Sequence, residues 1–151
     1  MKYLAVLLLI LSAPLAQAAD RLLVTDAWAR ATPPGATVAA LYLTLDNAAG
    51  KSDRLLSVAS PRARSAEVHA TVRDGEIVRM RKVEPLHLAA RERLTLAPGG
   101  THVMLFGITT PLVQGERVPV VLRFELAGEV RVEAEVLAGG ATGPAAGHDH
   151  H

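Results

Sequence analysis

From Arg21 onward the chain never sustains a helical period: its apolar residues alternate with polar ones in short runs, each broken by turn residues. A chain patterned this way can bury only one face of each segment, so it must fold as sheet. The clearest pair lies near the end. Val118, Val120, Leu122, Phe124 and Leu126 alternate with Pro119, Val121, Arg123 and Glu125, and Val130, Val132, Ala134 and Val136 alternate with Arg131, Glu133 and Glu135. A three-residue loop, Ala127-Gly128-Glu129, would set Leu126 opposite Val130 and bring both apolar sets to one side; a two-residue loop would oppose apolar to charged. Earlier segments with the same habit run from Leu22 to Ala29, Val38 to Leu45, Arg54 to Ser60, Ala66 to Thr71, Glu76 to Val83, Arg91 to Leu96 and His102 to Phe106. Strands of that number and spacing predict an all-β sandwich or small barrel in one domain.

The first residues follow another rule. Lys2 precedes an apolar run from Tyr3 to Leu11, and small residues end in Ala16-Gln17-Ala18-Ala19. This is the pattern of a secretory signal peptide over residues 1–19, cleaved before Ala19 or Asp20. The run is far shorter than the roughly 20 residues a spanning helix needs, and the expected destination is the periplasm with no span in the mature protein. The folded domain is expected over residues 20–138. The segment 139–151, rich in glycine and alanine and ending His148-Asp149-His150-His151, reads as a flexible arm.

Charge and cysteine content remove whole classes of function. Lys and Arg number 16 against 15 Asp and Glu, and loss of Lys2 with the signal segment leaves 15 against 15. No basic excess points to nucleic acid or to a membrane surface. There is no cysteine. Stability must come from sheet packing, and thiol exchange, cysteine nucleophiles and a thiolate-ligated blue-copper electron-transfer site are all excluded.

Beyond Met1 the chain has only Met80 and Met104 as methionines, and its histidines outside the terminal pair are His69, His87, His102 and His148. His102 and Met104 stand two apart in an expected strand, so both leave one face roughly 6 to 7 Å apart. Arg73-Asp74-Gly75-Glu76 carries the Asp-Gly signal of a two-residue type I′ turn. With Asp74 and Gly75 as the loop, Glu67 faces Lys82 and His69 faces Met80, with about 5 Å between Cβ atoms. The chain thus builds two His and Met couples. Thioether sulfur is neutral and soft and binds Cu(I) far better than Zn(II), Mg(II) or Ca(II), with imidazole a suitable co-ligand. His87, between leucines, stands outside this pattern, and Trp28 and Arg30 are read as structural.

His69, ten residues, Met80, twenty-one residues, His102, one residue and Met104 resemble the metal-binding pattern of the PCuAC-type periplasmic copper chaperones. Further similar segments are Asp26 to Gly35, Ala40 to Thr44, Met80 to Val83 and Pro98 to Leu105. The resemblance implies a cupredoxin-like Greek-key sandwich, a surface Cu(I) site made by His69, Met80, His102 and Met104, and a carrier rather than an enzyme. It also implies a role in assembling the dinuclear copper centre of cytochrome c oxidase. The partners would be the oxidase's copper-bearing subunit or a Sco-type thiol protein, met by a monomer. Ala70 departs from the many relatives with a methionine beside the first histidine. His148, His150 and His151 are a weaker second site suited to Cu(II). A superoxide dismutase would need more histidines and a bridging carboxylate; general copper buffering and a metal-free structural module of the envelope are the remaining rivals.

Overall fold

A computed structural model describes residues 21–144; the expected signal segment and the terminal His148, His150 and His151 lie outside them. The strands are β1 (Leu22–Arg30), β2 (Val38–Asn47), β3 (Asp53–Ala59), β4 (Ser65–Asp74), β5 (Ile77–Lys82), β6 (Leu86–Leu88), β7 (Arg93–Leu96), β8 (His102–Phe106), β9 (Arg117–Phe124) and β10 (Gly128–Leu137). They form one sheet in the order β5-β4-β8-β2-β1-β10-β9-β3-β6, with β7 pairing a second stretch of β2. Neighbours run antiparallel except β1 with β10. The all-β fold expected from the alternation is present, with β6 added. Its three residues are too few to show a period, yet Leu86 and Leu88 are buried while His87 between them is exposed.

One apolar cluster joins the two halves of the sheet. Leu41, Leu43 and Leu45 of β2 and Val103 and Leu105 of β8 belong to the same buried set as Val118, Val120, Leu122 and Phe124 of β9 and Ala134 and Val136 of β10. The sheet therefore folds over on its apolar face, and the outer face of β5-β4-β8-β2 is left to carry polar and sulfur-bearing side chains. Period two decides which residues do so.

The last hairpin differs from expectation in register. Its loop is Glu125-Leu126-Ala127, and Val130 pairs with Leu122 rather than with Leu126, which lies exposed in the turn. The cause is remote in sequence: the buried Asp53 carboxylate accepts the N–H groups of Leu126 and Ala127, both at 2.9 Å, and that of Arg54 at 2.7 Å. Gly128 then takes φ +77°, where a side chain would be strained, and starts β10. The slip is an even number of residues, so the apolar sets still face inward.

Asp53→Ala strands two loop N–H groups beside the core and should cost about 1–3 kcal/mol. In urea unfolding this is expected as a lower midpoint at unchanged slope, with Asp53→Asn, which keeps one acceptor oxygen, losing less.

Candidate metal centre

Three adjacent strands bring the two His and Met couples together. β4 pairs β8 with His69 directly opposite His102 and Glu67 opposite Met104. β5 pairs β4 with Thr71 opposite Met80 and His69 opposite Lys82. Paired residues share a face, so Met80, His69, His102 and Met104 all leave the same side of the sheet, with Glu67, Thr71 and Lys82 among them. The two imidazole centroids are 6.3 Å apart.

His69 is not directly across from Met80, as the hairpin signal suggested, but on the diagonal. The loop is Gly75-Glu76, closed by Asp74 and Ile77, and its one positive φ is at Gly75, +62°. A type I′ turn needs positive φ at both loop residues; a single one at the first loop position, held by glycine, is the type II′ solution, and it moves the pairing by two. Because the shift is even, Met80 keeps its face. The Glu67 and Lys82 charges still meet, at 3.2 Å, but diagonally.

The four side chains differ in depth. Met80 lies on the edge strand and is 62% exposed, while Met104 is half-buried opposite the small Ala40 of β2. His102 is only 5% exposed. Its Nδ1 lies 2.9 Å from the Gly100 carbonyl oxygen, which also accepts from the Thr71 hydroxyl at 3.3 Å. A carbonyl only accepts, so Nδ1 carries the proton and Nε2 of the neutral ring keeps a lone pair. That Nε2 is buried and has no hydrogen-bond partner, an arrangement proteins avoid unless the atom has another use. His69 turns Nε2 toward Glu67 Oε2 at 2.8 Å. The hydrogen bonds from His69 and then Lys82 hold the Glu67 carboxyl below the usual carboxylate range.

Behind His102 stand aromatic groups that the sequence did not mark as part of the site. The Tyr42 ring lies 6.4 Å from that of His102 and 4.4 Å from that of Trp28, and the Arg30 guanidinium stands 5.7 Å over Tyr42. Burial raises the Tyr42 phenol above its ordinary pKa, with Arg30 opposing. Trp28 reaches this face only through a bulge: the β1 register shifts between Thr25 and Trp28, where Asp26 takes φ +52°. Arg30 Nε also donates to the Ala141 carbonyl at 3.0 Å, and Thr142, Gly143 and Pro144 line a cavity with Trp28, so the start of the expected arm lies against the domain. Among the described residues no group of three His, Asp or Glu side chains is arranged to hold a metal, and His87 stays apart on β6.

A family model described as "Putative lipoprotein LpqE-like" matches residues 22–136. "Putative lipoprotein Lxx21020" of Leifsonia xyli is 33% identical over 107 residues, 70% of this chain and 63% of that protein, so the chain spans under two thirds of the relative's length. Among solved structures, a copper-bound PCuAC domain from PmoF2 is 34% identical with a TM-score of 0.69, covering 80% of this chain and 96% of that one. The solution structure of copper(I)-loaded DR1885 from Deinococcus radiodurans is 32% identical with a TM-score of 0.65, covering 84% of each chain. The likeness extends to the cupredoxin-like sheet expected above.

The register of the β4-β5 hairpin can be read directly. Counting back from the loop-closing Asp74 and Ile77 makes Thr71 and Met80 a non-hydrogen-bonded pair, about 4.5 Å between Cα atoms. A strong Hα to Hα NOE is expected between Thr71 and Met80, and one between Ala70 and Arg79 in its place would restore the in-line register, in which those two are a non-hydrogen-bonded pair.

Proposed function

The chain belongs to the LpqE-like family of PCuAC-type copper chaperone domains, and on that premise we propose that it takes up one copper(I) ion on His69, Met80, His102 and Met104 and hands it on. The observation that carries this reading is His102 Nε2, a buried lone pair with no partner on the face that also holds two thioethers and a second imidazole. Two neutral imidazoles and two thioethers suit Cu(I), with its preference for soft donors. The set leaves the ion its single positive charge. It supplies no hard carboxylate cage for Mg(II) or Ca(II) and no thiolate for a tight structural site.

The same ligands account for release. Met80 stands on an edge strand in open solvent, so an incoming donor reaches the metal from that side, and a thioether is the weaker partner in exchange with a thiolate. His102, fixed from behind by Gly100, holds the ion while Met80 is displaced. The protein acts as a carrier without catalysis. Its acceptor, on this proposal, belongs to the machinery that assembles the dinuclear copper centre of cytochrome c oxidase, either the copper-bearing subunit or a Sco-type thiol protein. The signal-like residues 1–19 and the lipoprotein description of a relative support an exported location. No helix among the described residues is long and apolar enough to cross a membrane.

Competition with a colorimetric Cu(I) chelator under reducing conditions tests the ligand set. The His69→Ala, Met104→Ala double variant should bind Cu(I) at least about 100-fold more weakly, and Met80→Ala alone should release it faster to a dithiol. Unchanged affinity in the double variant sinks the assignment.

A further inference from the structure

Each histidine of the metal-binding face has one ring nitrogen committed, and the committed atom differs between them. His102 donates from Nδ1 to Gly100, which leaves Nε2. His69 has Nε2 against Glu67 Oε2. Glu67 is itself held on its other side: Oε1 accepts from Lys82 Nζ at 3.2 Å, Lys82 Nζ also lies 3.2 Å from Glu84 Oε2, and Glu84 Oε1 accepts the Val68 N–H at 3.1 Å. An ionised carboxylate accepts and does not donate, so the proton of the shared bond sits on His69 Nε2, and the lone pair of the neutral ring is at Nδ1.

We propose that Glu67 is a positioning residue that fixes His69 as the Nε2–H tautomer, so that copper(I) is held through Nδ1 of His69 and Nε2 of His102. This rests on the copper-carrier reading and adds to it the nitrogen each histidine offers and the group that selects it. Ligating histidines generally donate their second ring N–H to a carboxylate or a carbonyl, which orients the ring and raises its basicity. Here one histidine has the carbonyl of Gly100 and the other the carboxylate of Glu67. The placement is built into the sheet, because Glu67 stands two before His69 on β4 and so shares its face, directly opposite Met104. The opposite arrangement, in which His69 binds through Nε2, requires the Glu67 bond to break and makes the carboxylate a competitor of the metal.

Long-range proton-nitrogen NMR of the uniformly 15N-labelled protein separates the two, since Cu(I) is diamagnetic. Metal-free protein should show the Nε2–H tautomer at His69 and the Nδ1–H tautomer at His102. On titration with Cu(I), the coordinated nitrogen of His69 should be Nδ1; coordination through Nε2 overturns the inference. Glu67→Ala should mix the His69 tautomers and weaken Cu(I) binding about 10–100-fold, and Glu67→Gln, which keeps an acceptor oxygen, should recover part of the loss. Unchanged or tighter Cu(I) binding in Glu67→Ala also overturns it, provided the urea midpoint is unchanged. A wild-type protein that takes up no Cu(I) overturns the carrier function and the coordination part of the inference together. The tautomers of the metal-free protein read the role of Glu67 on their own.

Discussion

The pairing of β4 with β8 is the constraint on which the rest of the site depends. Each strand alone can present a histidine, but only their antiparallel register, with His69 opposite His102, brings the two together and sets Glu67 against Met104. Sheet pairing makes this register hard to lose. A slip of one residue would turn His69 toward the core and expose Val68, which is fully buried beside Val103. The binding face is thus fixed by the hydrophobic effect acting on its reverse side, and the ligands need contribute little to the stability of the sheet that holds them.

Period two was legible in the residues, and it settled which side chains share a face; that part survives even where the pairing was misjudged. Both hairpins were expected out of register, Met80 by two residues on β4 and Val130 by four on β9, and both kept their faces because each error was even. For β4-β5 the ambiguity is local, since an Asp-Gly pair admits two loop positions and the choice turns on whether Glu76 or Asp74 joins the glycine. For β9-β10 it is not local. The loop is set by the carboxylate of Asp53, a partner more than seventy positions away, and no pattern within the hairpin discloses it. The meeting of β4 with β8 is likewise a tertiary fact, which only the likeness to a known spacing had suggested. Glu67 did leave a signal, the Glu-x-His spacing on one strand face, but its charge made it look like a register marker for Lys82.

The charges around the face are arranged so that none falls into the ligand set. Glu67, Lys82 and Glu84 form a short chain of ion pairs, anchored by the N–H of Val68. In the partly exposed setting of this chain such pairs contribute little to stability. Their value lies in geometry, because a carboxylate with both oxygens engaged has one direction left in which to hold a ring. The deep side of the face is closed differently, by Tyr42 and Trp28 stacked beside His102. One flank of the site is therefore wet and exchangeable and the other is dry and packed, which suits a site that must be entered and left from a single side.

The bulge at Asp26 gives that dry flank its existence. Before it, Val24 pairs with Leu45 on the core side; after it, Trp28 pairs with Tyr42 on the outer side and Ala29 takes the inward place beside Leu41. The extra residue works like a frameshift. Straightening the strand there without shortening it would preserve nearly all of its backbone pairing, yet it would set Trp28 opposite Leu41 and drive an indole into a space built for the methyl group of Ala29. For a segment of this length the bulged backbone is therefore closed to evolutionary drift, although it touches no ligand and carries no chemistry of its own.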